Sequence, residues 1–246
     1  MIRRYITNGR IGWAVVLAGL IAGAPATEVR ADGRASYTPP PKGLELTWSR
    51  SFAAGGKTAT ETFQHRVVRA QKDEVLYQVI SKDDGNGDRV RLFGGLFSYA
   101  YWRPGVAWVE YKFDRAMFRK LWPLAPGKET RVKMRFGYGE GKTIAQAKAN
   151  WKETEVGEIH YRVLRREKVT VPAGTFDAFV IERNRRFTRH GDGKSKGRVI
   201  IQRRVGWLVP KLGYVVKQTV RKGPAKPKAK ISVLQVISVK RPSGAK

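Results

Sequence analysis

The sequence predicts an all-β fold: a single domain built on a curved antiparallel sheet or an open, partial barrel. Three observations carry this. Apolar and polar residues alternate with period two over much of the chain, and β-branched and aromatic residues fill the apolar positions. Turn signals recur roughly every 10 to 20 residues, too often for strand–helix–strand units. Helical periodicity is scarce. Strands with one apolar and one basic side imply a sheet covered on one face. About eight to ten such strands would curl or split rather than stay flat.

The elements follow in order. Arg3, Arg4 and Arg10 precede an apolar run from Ile11 to Ala24, and small residues follow at Ala24-Pro25-Ala26. That order is the pattern of a secretory signal peptide. The run is shorter than the roughly 20 residues that cross a bilayer as a helix, so cleavage is expected rather than anchoring. The expected cut follows Ala26, with Ala24 and Ala31 as rivals. Residues 27–42 are polar, contain Pro39-Pro40-Pro41, and read as a flexible or extended leader. The β-rich domain then spans 43–240, and 241–246 is a tail.

Within the domain, Phe97, Tyr99 and Tyr101 share one side of a strand. Trp108 lies on the next strand, across a turn at Arg103-Pro104-Gly105. Arg115 to Leu121 and Thr143 to Trp151 read as short helices, with an amphipathic strand at Arg131 to Phe136 between them. Ile159, Tyr161 and Val163 begin an alternating run that ends at the turn Pro172-Ala173-Gly174. Tyr214 to Val220 and Ile231 to Val239 alternate likewise. The basic, proline-broken stretch Lys222 to Lys230 separates these last two runs.

Composition narrows function more than any motif does. The chain has 49 Lys+Arg against 20 Asp+Glu and no cysteine. Disulfides, Cys-zinc sites, thiol catalysis and lipidation at an N-terminal cysteine are therefore excluded, so an exported product would not be a lipoprotein. From Arg183 to Lys246 nineteen Lys or Arg face one acid, Asp192. Such a field attracts anionic polymers and membrane surfaces. Outside the cytoplasm these are phospholipid headgroups, lipopolysaccharide phosphates and acidic envelope polymers rather than nucleic acid. A solvated basic surface that serves solubility alone is the competing reading.

Two glycine-rich runs resemble known sites and fail on spacing. Gly137-Tyr-Gly-Glu-Gly-Lys-Thr143 is one residue short of a phosphate loop and follows an amphipathic strand. Asp84-Gly-Asn86-Gly-Asp88 has the alternating oxygens of a calcium loop, but Arg89 stands where its glycine belongs. The turn Asn86-Gly87 explains it as a hairpin. His65, His160 and His190 lack metal-ligand spacing. No nucleophile elbow is present. No catalytic residue, metal or cofactor is expected.

Three segments resemble a family of exported bacterial proteins known only as a domain of unknown function. They are Trp122-Pro-Leu-Ala-Pro-Gly-Lys128, the run from Tyr161 to Ala178 with Val-Pro-Ala-Gly-Thr-Phe at its centre, and Trp207-Leu-Val-Pro-Lys-Leu-Gly-Tyr-Val-Val-Lys217. The resemblance covers about residues 121–240. It implies an exported β-rich domain, an open barrel comparable to periplasmic lipoprotein carriers, and no catalytic residues.

The functional expectation is a non-enzymatic, periplasmic or secreted envelope protein that binds an anionic amphiphile or envelope polymer, with peripheral membrane contact. The apolar part would rest on Phe97, Tyr99, Tyr101, Trp102 and Trp108, although such aromatic strands also serve simply as core. Arg162, Arg166, Lys168, Arg183, Arg185, Lys217 and Arg221 would offer charge to phosphate or carboxylate. A hydrolase of envelope polymers and a structural partner in an envelope complex are the alternatives. The sequence leaves the oligomeric state open.

Overall fold

A computed structural model describes residues 33–54, 57–81, 88–190, 197–223 and 231–242. The signal-like segment 1–26, the calcium-like turn at 84–87 and most of the basic stretch 222–230 lie outside the described residues. Twelve strands form one antiparallel sheet, each paired with its neighbour in sequence. They are β1 Glu45–Ala54, β2 Lys57–Gln71, β3 Glu74–Ser81, β4 Arg89–Phe93, β5 Phe97–Arg103 and β6 Ala107–Phe113, followed by β7 Glu129–Glu140, β8 Lys152–Val171, β9 Gly174–Arg189, β10 Val199–Val209, β11 Tyr214–Lys222 and β12 Ile231–Lys240.

The all-β, single-sheet expectation is met, and the curvature goes to completion. β1 pairs with β2 on one side and with β12 on the other, from Glu45↔Lys240 to Ser51↔Val233. The barrel is closed rather than open. Closure satisfies the backbone donors and acceptors that two edge strands would otherwise expose.

Two short helices sit where the sequence places them. Helix α1, Arg115–Arg119, is capped by Asp114, whose carboxylate accepts from the N–H groups of Ala116 and Met117. It buries Phe118 completely. Helix α2, Ile144–Ala149, starts at a capping box in which Thr143 and Gln146 bond reciprocally. It lies directly on β7, so close that a Cβ at Gly139 would fall 2.1 Å from the Ala147 carbonyl oxygen. The glycine-rich run before Thr143 thus serves helix packing: Gly137–Glu140 is the end of strand β7 rather than a turn, and the chain bends only at Lys142 and Thr143.

Two buried clusters fill the barrel. One gathers Phe93, Phe97, Phe118, Ile159, Tyr161 and Phe187 with their neighbours. The other gathers Leu46, Trp48, Tyr77, Tyr214, Val216 and Val236 with theirs. The long β8–β9 hairpin carries a bulge between Val163 and Arg165. Its tip reaches β12, where the Ala173 N–H donates to the Val236 carbonyl at 3.3 Å. From the leader, Ala35 pairs with Leu124, and the Tyr37 ring packs 5.1 Å from that of Trp122.

Candidate functional site

The register of β8, β9 and β10 sets side chains in cross-strand rows whose members share a face. One row is Tyr161–Arg183–Arg204, and the next is Ile159–Arg185–Gln202. A third is Gly157–Phe187–Ile200. These rows face the lumen. Arg183 and Arg204 line a cavity of about 220 Å³ together with Trp48, Phe63, His65 and Tyr77 from β1 to β3. Leu92, Leu96, Val215 and Leu234 complete an apolar wall.

Three arginines in these rows of β9 and β10 therefore face the interior of the barrel. Arg185 lies over the Phe187 ring at 4.3 Å and reaches Glu155, donating to its carboxylate at 2.6 Å. Arg189 donates to the other oxygen of Glu155 at 3.1 Å. Glu155 is 2% exposed. A buried carboxylate is tolerable when cations hold it, and two do so here.

Arg183 and Arg204 have no such counterpart. Among the described residues no carboxylate forms an ion pair with either. Arg183 is 8% exposed, its guanidinium lies over the Phe97 ring at 5.0 Å, and its Nε has no hydrogen-bond partner. The Nε of Arg185 is likewise unpartnered. Arg204 donates from Nε to Gln202 at 2.9 Å. Burial first, and then the Arg183 charge, hold the Arg204 guanidinium below the usual arginine value. Arginine keeps its proton in proteins, so this strain amounts to an unmet demand for negative charge. Tyr161 is 1% exposed and its hydroxyl is unpartnered. Burial pushes that phenol up to about 12, and the charges of Arg183 and Arg204 oppose the rise.

Across the cavity, burial pushes the His65 imidazole down to about 3, so it is neutral. Its Nδ1 and the Tyr214 hydroxyl are hydrogen-bonded at 2.9 Å. Burial raises the phenols of Tyr77 and Tyr214. A neutral polar pair thus stands opposite two cations. Among the described residues no group of three His, Asp or Glu could hold a metal ion. A wider depression of about 870 Å³ on the outside of β6–β9 is lined by Lys112, Lys133, Arg135 and Arg186. Glu158, which also pairs with Arg131, lies among these cations, and Arg135 is answered by Glu153, as on an ordinary solvated face.

Of the seven basic residues named from sequence, only Arg183 and Arg185 face the lumen. Arg162 donates to Glu182 at 3.2 Å on the outer face, where Arg203 holds the same carboxylate. Lys217 lies 5.1 Å above the Trp207 ring, and Arg221 is opposite Arg203, both on the outside. Arg166 and Lys168 are exposed on the β8–β9 hairpin. One residue of offset along a strand sends a side chain to the other face, and that separates Arg162 from Arg183.

The five aromatic residues do not gather around one cavity. Phe97 lies beneath Arg183. Tyr99 packs on Phe113, with ring centroids 5.9 Å apart. Tyr101 donates its hydroxyl to Asp88, which Arg103 also holds at 3.1 Å. Trp102 and Trp108 are cross-strand partners on the side facing α2, where the Lys148 ammonium lies 4.5 Å above the Trp108 ring. The cause is a bulge in the β4–β5 ladder: Arg91 pairs with Ala100 but Leu92 with Ser98. Tyr99 is left unpaired, and Ser98 lines the cavity instead.

Arg204, Tyr161, His65 and Glu155 complete the site and are not among the sequence candidates. Arg204 shares its strand face with Gln202 and Leu208. Period-two reasoning sends a cation in such a run outward. Tyr161 stands between Ile159 and Val163 and reads as core.

No protein-family model matches the chain, and no curated protein matches it. Solved structures similar to it include a Bacteroides fragilis protein assigned as exported and of YmcC-like fold. That protein is 16% identical, with 84% of this chain and 99% of the other covered at a TM-score of 0.47. The hypothetical lipoprotein YmcC of Escherichia coli is 8% identical over 80% and 85% of the two chains, with a TM-score of 0.45. A DUF1329 protein of Desulfovibrio piger is 10% identical over 82% and 87%, with a TM-score of 0.29.

Proposed function

We propose that this chain is a non-catalytic protein of the bacterial cell envelope, exported by its N-terminal signal, whose barrel lumen binds an anionic amphiphile. One observation carries the reading: two lumen arginines, Arg183 and Arg204, border an apolar cavity without an ion-paired carboxylate among the described residues. Leaving a charge buried and unpaired is costly, and a ligand anion removes that cost. The apolar wall of Trp48, Phe63, Leu92 and Leu234 suits the hydrocarbon part. The non-catalytic reading is supported by the buried carboxylates, Glu155 and Glu182. Two arginines clasp each of them, so neither is free to act as the acid or base of a hydrolysis.

The test is organic extraction of protein purified from the envelope fraction of its own cells, followed by mass spectrometry. A co-purifying acidic amphiphile is expected, and it should be lost from an Arg183→Gln, Arg204→Gln double variant that still folds. An empty protein that also ignores anionic vesicles at physiological salt overturns the reading.

A further inference from the structure

We infer that the Tyr161–Arg183–Arg204 row receives a phosphate monoester, the dianionic head of a single-chain amphiphile. This rests on the lumen reading above and narrows it to a chemical class.

Charge is the first argument. Arg183, Arg185, Arg189 and Arg204 all face inward, and the one carboxylate among them, Glu155, is shared by Arg185 and Arg189. Glu182, next in sequence to Arg183, points to the opposite face and is occupied by Arg162 and Arg203. Arg183 and Arg204 are the two left without an acid partner among the described residues. A carboxylate or a phosphodiester would neutralise one of them, whereas a phosphate monoester carries close to two near neutral pH.

Donor geometry is the second. Arg183 Nε, Arg185 Nε and the Tyr161 hydroxyl are buried and lack hydrogen-bond partners. Tyr161 and Arg183 are direct cross-strand partners, whereas Arg185, two residues along the same face, lines a separate opening of about 550 Å³ with Glu155 and Arg189. Buried donors are nearly always paired, so two orphans in one row, Arg183 Nε and the Tyr161 hydroxyl, mark the place of an acceptor. A phosphate monoester offers three terminal oxygens, and a carboxylate only two. Arginine forks match phosphate geometry particularly well.

Space is the third. The cavity of about 220 Å³ bordered by Arg183 and Arg204 lies below the roughly 300–1,000 Å³ of ordinary small-molecule sites. It fits one short hydrocarbon chain better than the paired chains of a membrane lipid.

The experiment is calorimetric titration of the full chain with inorganic phosphate, octyl phosphate, octanoate and octyltrimethylammonium. Octyl phosphate is expected to bind one to one, about tenfold or more tighter than octanoate, because extra charge-assisted bonds form. Arg183→Gln and Arg204→Gln should each weaken octyl phosphate about 10- to 100-fold, and Tyr161→Phe about fivefold. An unchanged far-ultraviolet dichroism spectrum shows that each variant is folded. Equal affinity for octyl phosphate and octanoate overturns the phosphate assignment and leaves the amphiphile reading standing. Arginine-dependent binding of inorganic phosphate with no gain from the octyl chain keeps the phosphate site and removes the amphiphile. Binding of octyltrimethylammonium as tight as that of octyl phosphate, or binding of none of the four, overturns both.

Discussion

Arg183 on β9 and Arg204 on β10 stand directly opposite each other, both facing the lumen, and no described carboxylate pairs with either. Like charges in that position repel, and burial strengthens the repulsion. The ligand-free barrel therefore keeps a destabilising contact. Arg204→Met should raise the thermal midpoint of ligand-free protein, corresponding to about 1 kcal/mol. Arg185→Met should do the opposite. It leaves Glu155 buried with Arg189 as its remaining cation, and it should cost about 3 kcal/mol. Equal losses in both variants, read by differential scanning calorimetry, would show Arg185 and Arg204 to be equivalent.

His65 makes the barrel acid-sensitive. Its imidazole titrates at about 3 in the fold because it is buried, against about 6.5 in an unfolded chain. Below pH 6.5 the unfolded chain takes up a proton that the fold refuses. The stability tied to neutral His65 is thus complete above pH 6.5 and declines as pH falls toward 3. Since the ring borders a cavity, the loss at pH 5 is at most about 2 kcal/mol. His65→Gln keeps a polar group near the Tyr214 hydroxyl and removes the titration. Urea midpoints at pH 7 and pH 5 should differ less in the variant than in the wild-type chain. The same difference in both would place the acid sensitivity elsewhere.

Much of the architecture is legible in the alternation and the turns. The run Ile159, Tyr161, Val163 declares its strand, and Thr143 with Gln146 declares a helix start. Closure is not legible, because the pairing of Glu45 with Lys240 spans nearly the whole domain and leaves no local mark. The site fails to show for a different reason. Alternation separates two faces but does not say which is wet, and in a wide barrel an inward position can carry charge. Arg183 and Arg162 look alike in sequence, yet Arg162 is on the surface with Glu182 while Arg183 is buried over Phe97. The bulge opposite Ser98 likewise redirects an aromatic strand that the sequence presents as regular.

Gly139 tests the helix-packing account of the glycine-rich run. Gly139→Ala would bring a methyl group to 2.1 Å from the Ala147 carbonyl oxygen, so α2 must shift. Trp108, 3% exposed beside that helix, would become wetter. The expected results are a destabilisation of about 2–3 kcal/mol and a red shift in tryptophan emission. If the run bound phosphate instead, inorganic phosphate would protect the glycine chain and not the variant, with no shift in emission.

Glu155 sets stability against affinity. Its carboxylate ties Arg185 at 2.6 Å and Arg189 at 3.1 Å, which removes one positive charge from the lumen. Glu155→Gln keeps the shape and releases that charge. Ligand-free protein should lose about 3 kcal/mol, because two buried or half-buried cations lose their counter-ion. The freed Arg185, two residues from Arg183 on the same face, then adds its attraction to a bound anion. Affinity for octyl phosphate should rise about tenfold, within the range of a charge-assisted bond. Calorimetric titration together with urea unfolding checks both halves. A fall in affinity alongside the fall in stability would mean that Glu155 holds Arg185 in place for the ligand, and that the lumen's charge is set by geometry more than by number.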